Sequence, residues 1–500
     1  MKAKNIFTLT LLAVLIFSSP LNAQEIITDF GEVSSMKGPY VTVGIHGSKE
    51  IRLHGKRDRL EIHDKQKRIA REKVSYKTDE GQALVDEIIF KKDEIVMFSL
   101  VSSPKDQALY YKTLSYDDLS TIKSPVKISG LEEISKNSVP SVFRASVAKF
   151  DAYYNKKSEH ITLVVTAKPN KDGAKNFVEI ITLDKDYNTV RESYIFYAKD
   201  ADNGLKISDI VTYDNGTVAA VIAETNRKTV LGYTLIYLTN HEPVEAEVLP
   251  ALDRIEGYKL SSNIQNDQFS FTIFSVDSED LKQGAITVYK YDTKEHMIDS
   301  ETYSINESDL NQKRKNSLHR YKVYDNYIME NGSIIVTLSN SYSTVRQRND
   351  GSIRVTNFEN GFFIISLDKN LGISWSTEIP RNAYSTYGKI ISTLSYYTKN
   401  GEMEIIFNTN AAQFKKGFYN YDVGRGGAYL PFVKARKFIP TKATIHLSSG
   451  EVSVEELKFN DGRSINAIHP EILEKDEEPG VYTLKANIGK KLNILKIDFK

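Results

Sequence analysis

Along most of the chain apolar and polar residues alternate in short runs, and stripes recurring every third or fourth residue are scarce. Six runs carry the pattern most clearly: "EIVMFSL", "EHITLVVTA", "TVAAVIAET", "QFSFTIFS", "SIIVTLSN" and "EMEIIFNT". Each follows a turn signal, at Asp93, Lys157-Ser158, Asn215-Gly216, Asn266-Asp267, Asn331-Gly332 and Asn400-Gly401. Asn-Gly suits tight hairpins because both residues accept positive φ. Helix is expected only as loop decoration, near Ser308 to Arg320 and Ser278 to Lys282.

Downstream of each run comes a second hairpin, whose last apolar position before the turn falls at Leu114, Leu183, Leu238, Tyr291, Leu367 and Leu447. The intervals between these positions are 69, 55, 53, 76 and 80 residues. A ragged period of that length fits four short strands per unit with variable loops, the spacing of β-propeller blades. An earlier hairpin, "IRLHGKRDRLEIHD", pairs Ile51 with Ile62 and Leu53 with Leu60 and makes a seventh unit. The expected fold is therefore all-β, a propeller of about seven four-stranded blades, with six or eight allowed. The C-terminal "GVYTLKANIGKKLNILKIDFK" is expected to complete a blade begun by the N-terminal strands, which removes an exposed edge. The same residues also resemble the last strands of C-terminal sorting domains of a Bacteroidetes-type secretion system.

In "GFFIISL" every position from Phe362 to Ile365 is apolar, as for a strand covered on both faces. After the turn, Ile373, Trp375, Thr377 and Ile379 alternate with Ser374, Ser376 and Glu378, as for a half-solvated outer strand. The turn between them, "LDKNLGISW", resembles that of propeller repeats common in exported bacterial proteins, where Leu-Asp, a glycine and a tryptophan mark the connection from third to fourth strand. The sister stretch "IITLDKDYNTVRESYI" carries Arg191 where Trp375 stands. Some such repeats hold a quinone; the departure from the motif argues against one here, and no cofactor is expected.

The first residues add a location. Lys2 and Lys4, an apolar run from Ile6 to Phe17 and Ala23 are the parts of a secretory signal, with cleavage expected after Ala23. Residues 24–35 then form an extension and 36–500 the propeller. The chain is expected in the periplasm or the medium, with no membrane span after processing. It has no cysteine, which excludes disulfides, thiolate metal sites and a lipoprotein anchor. A formal net charge of +1 gives no bulk attraction to nucleic acid or anionic membrane.

Chemistry is sparse. His46, His54 and His63 are near in sequence, but the hairpin register separates His54 from His63, so they read as solvated strand residues and no metal is expected. "DADNG" at Asp200 to Gly204 lacks the ligands of a calcium loop and reads as a polar turn. Nucleophile-elbow, zinc-protease and phosphate-loop motifs are missing from the sequence.

The candidate binding residues lie in a long insertion, residues 411 to 438, where Tyr419, Tyr421, Arg425 and Tyr429 stand among glycines. Rigid aromatic surface with a forked donor suits a sugar, peptide or carboxylate. A basic run, Lys313, Arg314 and Lys315 with Arg320, Arg346 and Arg348, would form a positive rim. The expected function is a non-enzymatic, monomeric interaction platform presenting one face to a protein or glycan partner. Two alternatives stand: a secreted hydrolase or lyase acting on glycan or peptide, favoured by carboxylates converging at the channel, and a structural part of an outer-membrane assembly.

Overall fold

The computed structural model describes residues 26 to 498 apart from 33–39, 132–148, 168–174, 311–317, 386–392, 411–428, 431–437, 459–464, 476–480 and some shorter stretches. The described residues form eight sheets of four or more strands and one two-stranded ribbon. In chain order the sheets cover residues 40–73, 87–127, 149–197, 204–248, 254–306, 321–385, 393–456 and 467–498, and are called sheets 1 to 8. Within these ranges neighbouring strands pair antiparallel in chain order, and sheets 6 and 8 each add one strand from elsewhere in the chain.

The first strands of sheets 2 to 6 pack on one another in succession, and that of sheet 8 packs on that of sheet 1. The sheets therefore radiate from an axis lined by their first strands, and the fold is a β-propeller. Sheet 8 takes its fourth strand from the other end of the chain: Ile26–Glu32 pairs with Lys491–Asp498, Ile26 opposite Asp498. The two ends of the chain are thus joined by main-chain hydrogen bonds, and the last sheet keeps no open edge there.

Eight sheets exceed the seven units counted from turn spacing. The difference arises at the ends, where the N-terminal hairpin and the C-terminal pair belong to two different sheets. The hairpin register itself is as expected, Ile51 opposite Ile62, Leu53 opposite Leu60 and Arg52 opposite Glu61.

Apolar clusters fill the gaps between neighbours. Phe98 and Tyr111 of sheet 2 meet Phe150 and Leu163 of sheet 3, and Tyr233 and Leu235 of sheet 4 meet Phe269 and Phe271 of sheet 5. Ile335, Phe362 and Ile364 of sheet 6 meet Met403, Ile405 and Phe407 of sheet 7. This explains why third strands such as Ile353–Leu367 read as continuous apolar runs: Phe362, Ile364 and Ile365 are all buried. In the fourth strand the alternation holds except at Ile373, which is exposed beside the turn.

The turns differ in detail from the Asn-Gly reading. Gly216 and Gly332 have φ of +81°, and their N–H groups donate to Tyr213 and Met329 three residues back, while Asn215 and Asn331 stay at negative φ. Only the last turn residue is left-handed. The second hairpins use the same geometry with bulky residues: Tyr187 and Leu371 have φ of +72° and +65° and bury their side chains. Asp184 and Asp368 complete these turns, Asp368 Oδ1 accepting from the N–H groups of Asn370 and Gly372, each at 2.8 Å.

Polar side chains in sheet 1 are less solvated than expected. Glu50, Arg52, Glu61 and His63 are buried, with Arg52 bonded to Glu50 and His63 Nε2 3.0 Å from Glu61 Oε2. Burial disfavours the Glu61 charge, yet the bonds from His63 and Arg68 outweigh it and hold the carboxyl below its usual range. His63 is thus a buried partner and not a solvated strand residue, because this face of sheet 1 is enclosed by the closed ring. The side chains of His46 and His54 lie outside the described residues.

Candidate functional site

Sheets pack by their faces, so only the first strands present side chains to the axis. The register allows these strands to be compared level by level. Leu114, Leu183, Leu238, Tyr291 and Leu367 pair with Ile95, Ile161, Val218, Phe269 and Ile334 on the second strands. Three residues further along each second strand, the first-strand partner is Glu87, Asp151, Asp209, Lys259 and Asp325. Five successive inner strands therefore carry a charged residue at one level, four of them acidic.

The members of this layer feel one another. The Glu87 carboxyl is raised by burial and then by the negative charges of Asp151 and Asp86. Burial also raises Asp86, against the bond its Oδ2 accepts from Leu100 N at 2.7 Å. The Tyr153 phenol is pushed up to about 12 by burial, then by Asp151, Asp209 and Glu87. Asp209 is committed to its neighbours: Oδ2 accepts from Lys259 Nζ at 3.1 Å and from Leu260 N at 3.0 Å, and Oδ1 from Ile210 N. Asp325 Oδ1 caps Asn326 N at 2.9 Å, and Asn326 reaches back to Ser270 Oγ at 2.8 Å. Asp151, on the first strand of sheet 3, is exposed. Glu87 and Asp151 are thus the two acids best placed to meet a ligand, while Asp209 ties its sheet to the next through Lys259 and Leu260.

Sequence inspection passed over these five residues because they precede their second-strand markers by 8 to 10 positions, a spacing blurred by turn length and strand bulges. The side chains of the first strands of sheets 7 and 1, and most of those of sheet 8, lie outside the described residues.

Of the four insertion residues, Tyr419, Tyr421 and Arg425 lie outside the described residues. Tyr429 begins the two-residue strand Tyr429–Leu430, which joins sheet 6 as a fifth strand by parallel pairing with Tyr384 and Ser385. In the basic run, Lys313, Arg314, Lys315 and Arg348 also lie outside; the Arg320 guanidinium sits 4.1 Å above the Tyr342 ring, and Arg346 pairs in the register with Arg354. Asp200 to Gly204 is a polar turn, its Asn203 bonded to Glu224. Among the described residues no group of three or more His, Asp or Glu has metal-binding geometry, and no helix is long and apolar enough to cross a membrane.

No known protein family matches the chain, and no curated protein is similar to it. Among solved structures, the chain is similar to the WD40 domain of SCAP from fission yeast at 9% identity, with 95% of this chain and 98% of that one covered and a TM-score of 0.34. A Synechocystis apocarotenoid oxygenase matches at 9% identity over 90% and 95% of the two chains, TM-score 0.33. An α-L-arabinofuranosidase from Fusarium graminearum matches at 10% identity over 58% and 91%, TM-score 0.28.

Proposed function

We propose that this chain is an exported, non-enzymatic binding propeller whose inner-strand charged layer receives a cationic group of a protein or glycan partner. The observation that carries the reading is the shared level of Glu87, Asp151, Asp209 and Asp325, interrupted only by Lys259. The Glu87 carboxyl is raised first by burial and then by the negative charges of Asp151 and Asp86, so part of the cost of ionising it is repulsion between like charges. A bound ammonium or guanidinium group would relieve it, and low-dielectric walls would focus the attraction. Export is supported by Lys2, Lys4, the apolar run 6–17 and Ala23. N-terminal sequencing of the mature protein tests that part, with a start at Gln24 expected.

Binding is tested by calorimetry with a tetralysine peptide and a glucosamine oligosaccharide as probes. Glu87→Gln and Asp151→Asn are each expected to weaken binding about tenfold, the effect of roughly 1.4 kcal/mol. Equal binding by parent and both variants would overturn the reading.

A second reading has an observation of its own. Glu87, raised by burial and so protonated more readily than an ordinary carboxyl, stands within electrostatic reach of Asp151, and a raised carboxyl beside a second one is an arrangement used for acid and base catalysis in many hydrolases. Release of reducing ends or of peptide from a glycan or peptide panel, abolished by Glu87→Gln, would favour this alternative.

A further inference from the structure

The outer rim of the ring is made of fourth strands, and seven of the eight carry a feature that discourages a further strand from pairing. Those of sheets 3, 4 and 7, Tyr194–Tyr197, Val244–Val248 and Val452–Glu456, are short, with four, five and five residues. That of sheet 1, Lys67–Lys73, bears Lys67, Arg68, Arg71 and Lys73 and bulges at Ile69, between the pairs Ile62–Ala70 and His63–Arg68. In sheet 2, Thr121–Lys127 contains Pro125 and its register shifts twice, and in sheet 8 the register shifts between Asp29 and Glu32. In sheet 6, Pro380 interrupts Ile373–Ser385, whose end pairs with Tyr429–Leu430.

Sheet 5 is the exception. Its fourth strand, Met297–Asn306, has ten residues without Pro, Lys or Arg, and every one of them pairs with Gln283–Asp292 without a register shift. Among the described residues no strand lies beyond it. Its side chains indicate which strand it would accept. Asp299 and Glu301 are exposed on one face, about 7 Å apart by the rise of two strand residues, and Ser300, Thr302 and Ser304 are exposed on the other. Asp299 stands opposite Lys290, whose ammonium donates to the Lys369 carbonyl at 2.8 Å, and Glu301 stands opposite Val288. Neither carboxylate forms an ion pair among the described residues. A second copy of this edge fits poorly, because pairing two such strands gathers four carboxylates and no cation along one ladder.

We infer that Met297–Asn306 is a docking edge for an extended basic segment of a partner protein, which adds a fifth strand to sheet 5. Lys or Arg at alternate positions of that segment lies against Asp299 and Glu301, and small polar side chains lie against Ser300, Thr302 and Ser304. Main-chain hydrogen bonds supply the part of the affinity common to any strand, and the two carboxylates select the basic one. The edge belongs to the outer rim, whereas the charged layer belongs to the inner strands, so neither site depends on the other.

The test is hydrogen exchange of the full chain with an alternating Thr-Lys peptide as long as the strand, an alternating Thr-Glu peptide, and the Thr-Lys peptide N-methylated throughout, which keeps its charge but cannot join a ladder. The Thr-Lys peptide should protect the amides of residues 297–306 and leave those of 67–73 and 121–127 unchanged. The other two peptides, and the Thr-Lys peptide with Asp299→Lys/Glu301→Lys, should each bind at that edge at least about tenfold more weakly. Protection of 297–306 should persist in Glu87→Gln, which separates this edge from the axial layer. Equal protection by the methylated or acidic peptide, undiminished protection in the double variant, protection confined to other residues, or protection of 297–306 by self-association without peptide would each overturn the assignment.

Discussion

Trp375 and Gly450 share one space across the boundary between sheets 6 and 7: a Cβ on Gly450 would stand 2.7 Å from indole Cε3, and the indole Nε1 donates to the Leu447 carbonyl at 2.7 Å. Gly450 has φ of +73° and holds the left-handed turn position filled by buried Tyr187 in sheet 3 and Leu371 in sheet 6. In sheet 7 that place is taken by the tryptophan of the preceding sheet, so the turn residue must lack a side chain. The same coupling recurs in sheet 3, where Arg191 Nη1 donates to the Leu238 carbonyl at 2.6 Å and Nη2 to the Gly216 carbonyl at 3.2 Å. Arginine there serves as a longer version of the indole N–H, at a cost, since burial lowers its pKa to about 10.

Gly450→Ala should therefore destabilise the protein by roughly 2–4 kcal/mol, combining overpacking with left-handed strain. Denaturant melts would measure it. In a Trp375→Ala background the same substitution should cost much less, and strict additivity would show that the two residues do not compete for space.

Arg191→Leu should cost about 1–3 kcal/mol, because the Leu238 and Gly216 carbonyls lose a donor in a half-buried place. Trp375→Phe keeps the ring but loses the N–H, and a loss of similar size is expected. A Tm unchanged in both variants would mean that water replaces these bonds.

Acid should act oppositely on two carboxyls. The folded-state pKa of Glu87 is raised above 4.5, so its contribution is most favourable below that value and is lost as pH rises through the folded pKa. Glu87→Gln should then melt higher than the parent at pH 7, with the gain fading toward pH 4. For Glu61 the folded pKa is lowered, so its stabilisation is present above 4.5 and disappears as pH falls through the folded value. Glu61→Gln should be destabilising at pH 7 and progressively less so in acid. Tm differences independent of pH would refute both.

A chain starting at residue 36 would lack the strand Ile26–Glu32 and leave Lys491–Asp498 as an open edge. It should melt lower than a chain starting at residue 24 and self-associate through that edge, as size-exclusion chromatography would reveal. Equal melting and a single monomer peak would show that the closing strand is dispensable.

Strand character, hairpin register in residues 49–64, covered third strands and the correspondence in position of Trp375 and Arg191 were all legible in the sequence, whereas their shared bonding role was not. Each depends on side-chain alternation and turn chemistry within a few residues, where the chain has little freedom to choose otherwise. The eighth sheet, the burial of His63 with Glu61 and the charged level of Glu87, Asp151, Asp209, Lys259 and Asp325 were decided by the tertiary structure alone. They arise when hairpins some 50 to 80 residues apart are brought face to face around an axis and the two ends of the chain pair. Local pattern fixes which faces of a strand are apolar, but only closure of the ring fixes which polar positions meet water and which meet one another.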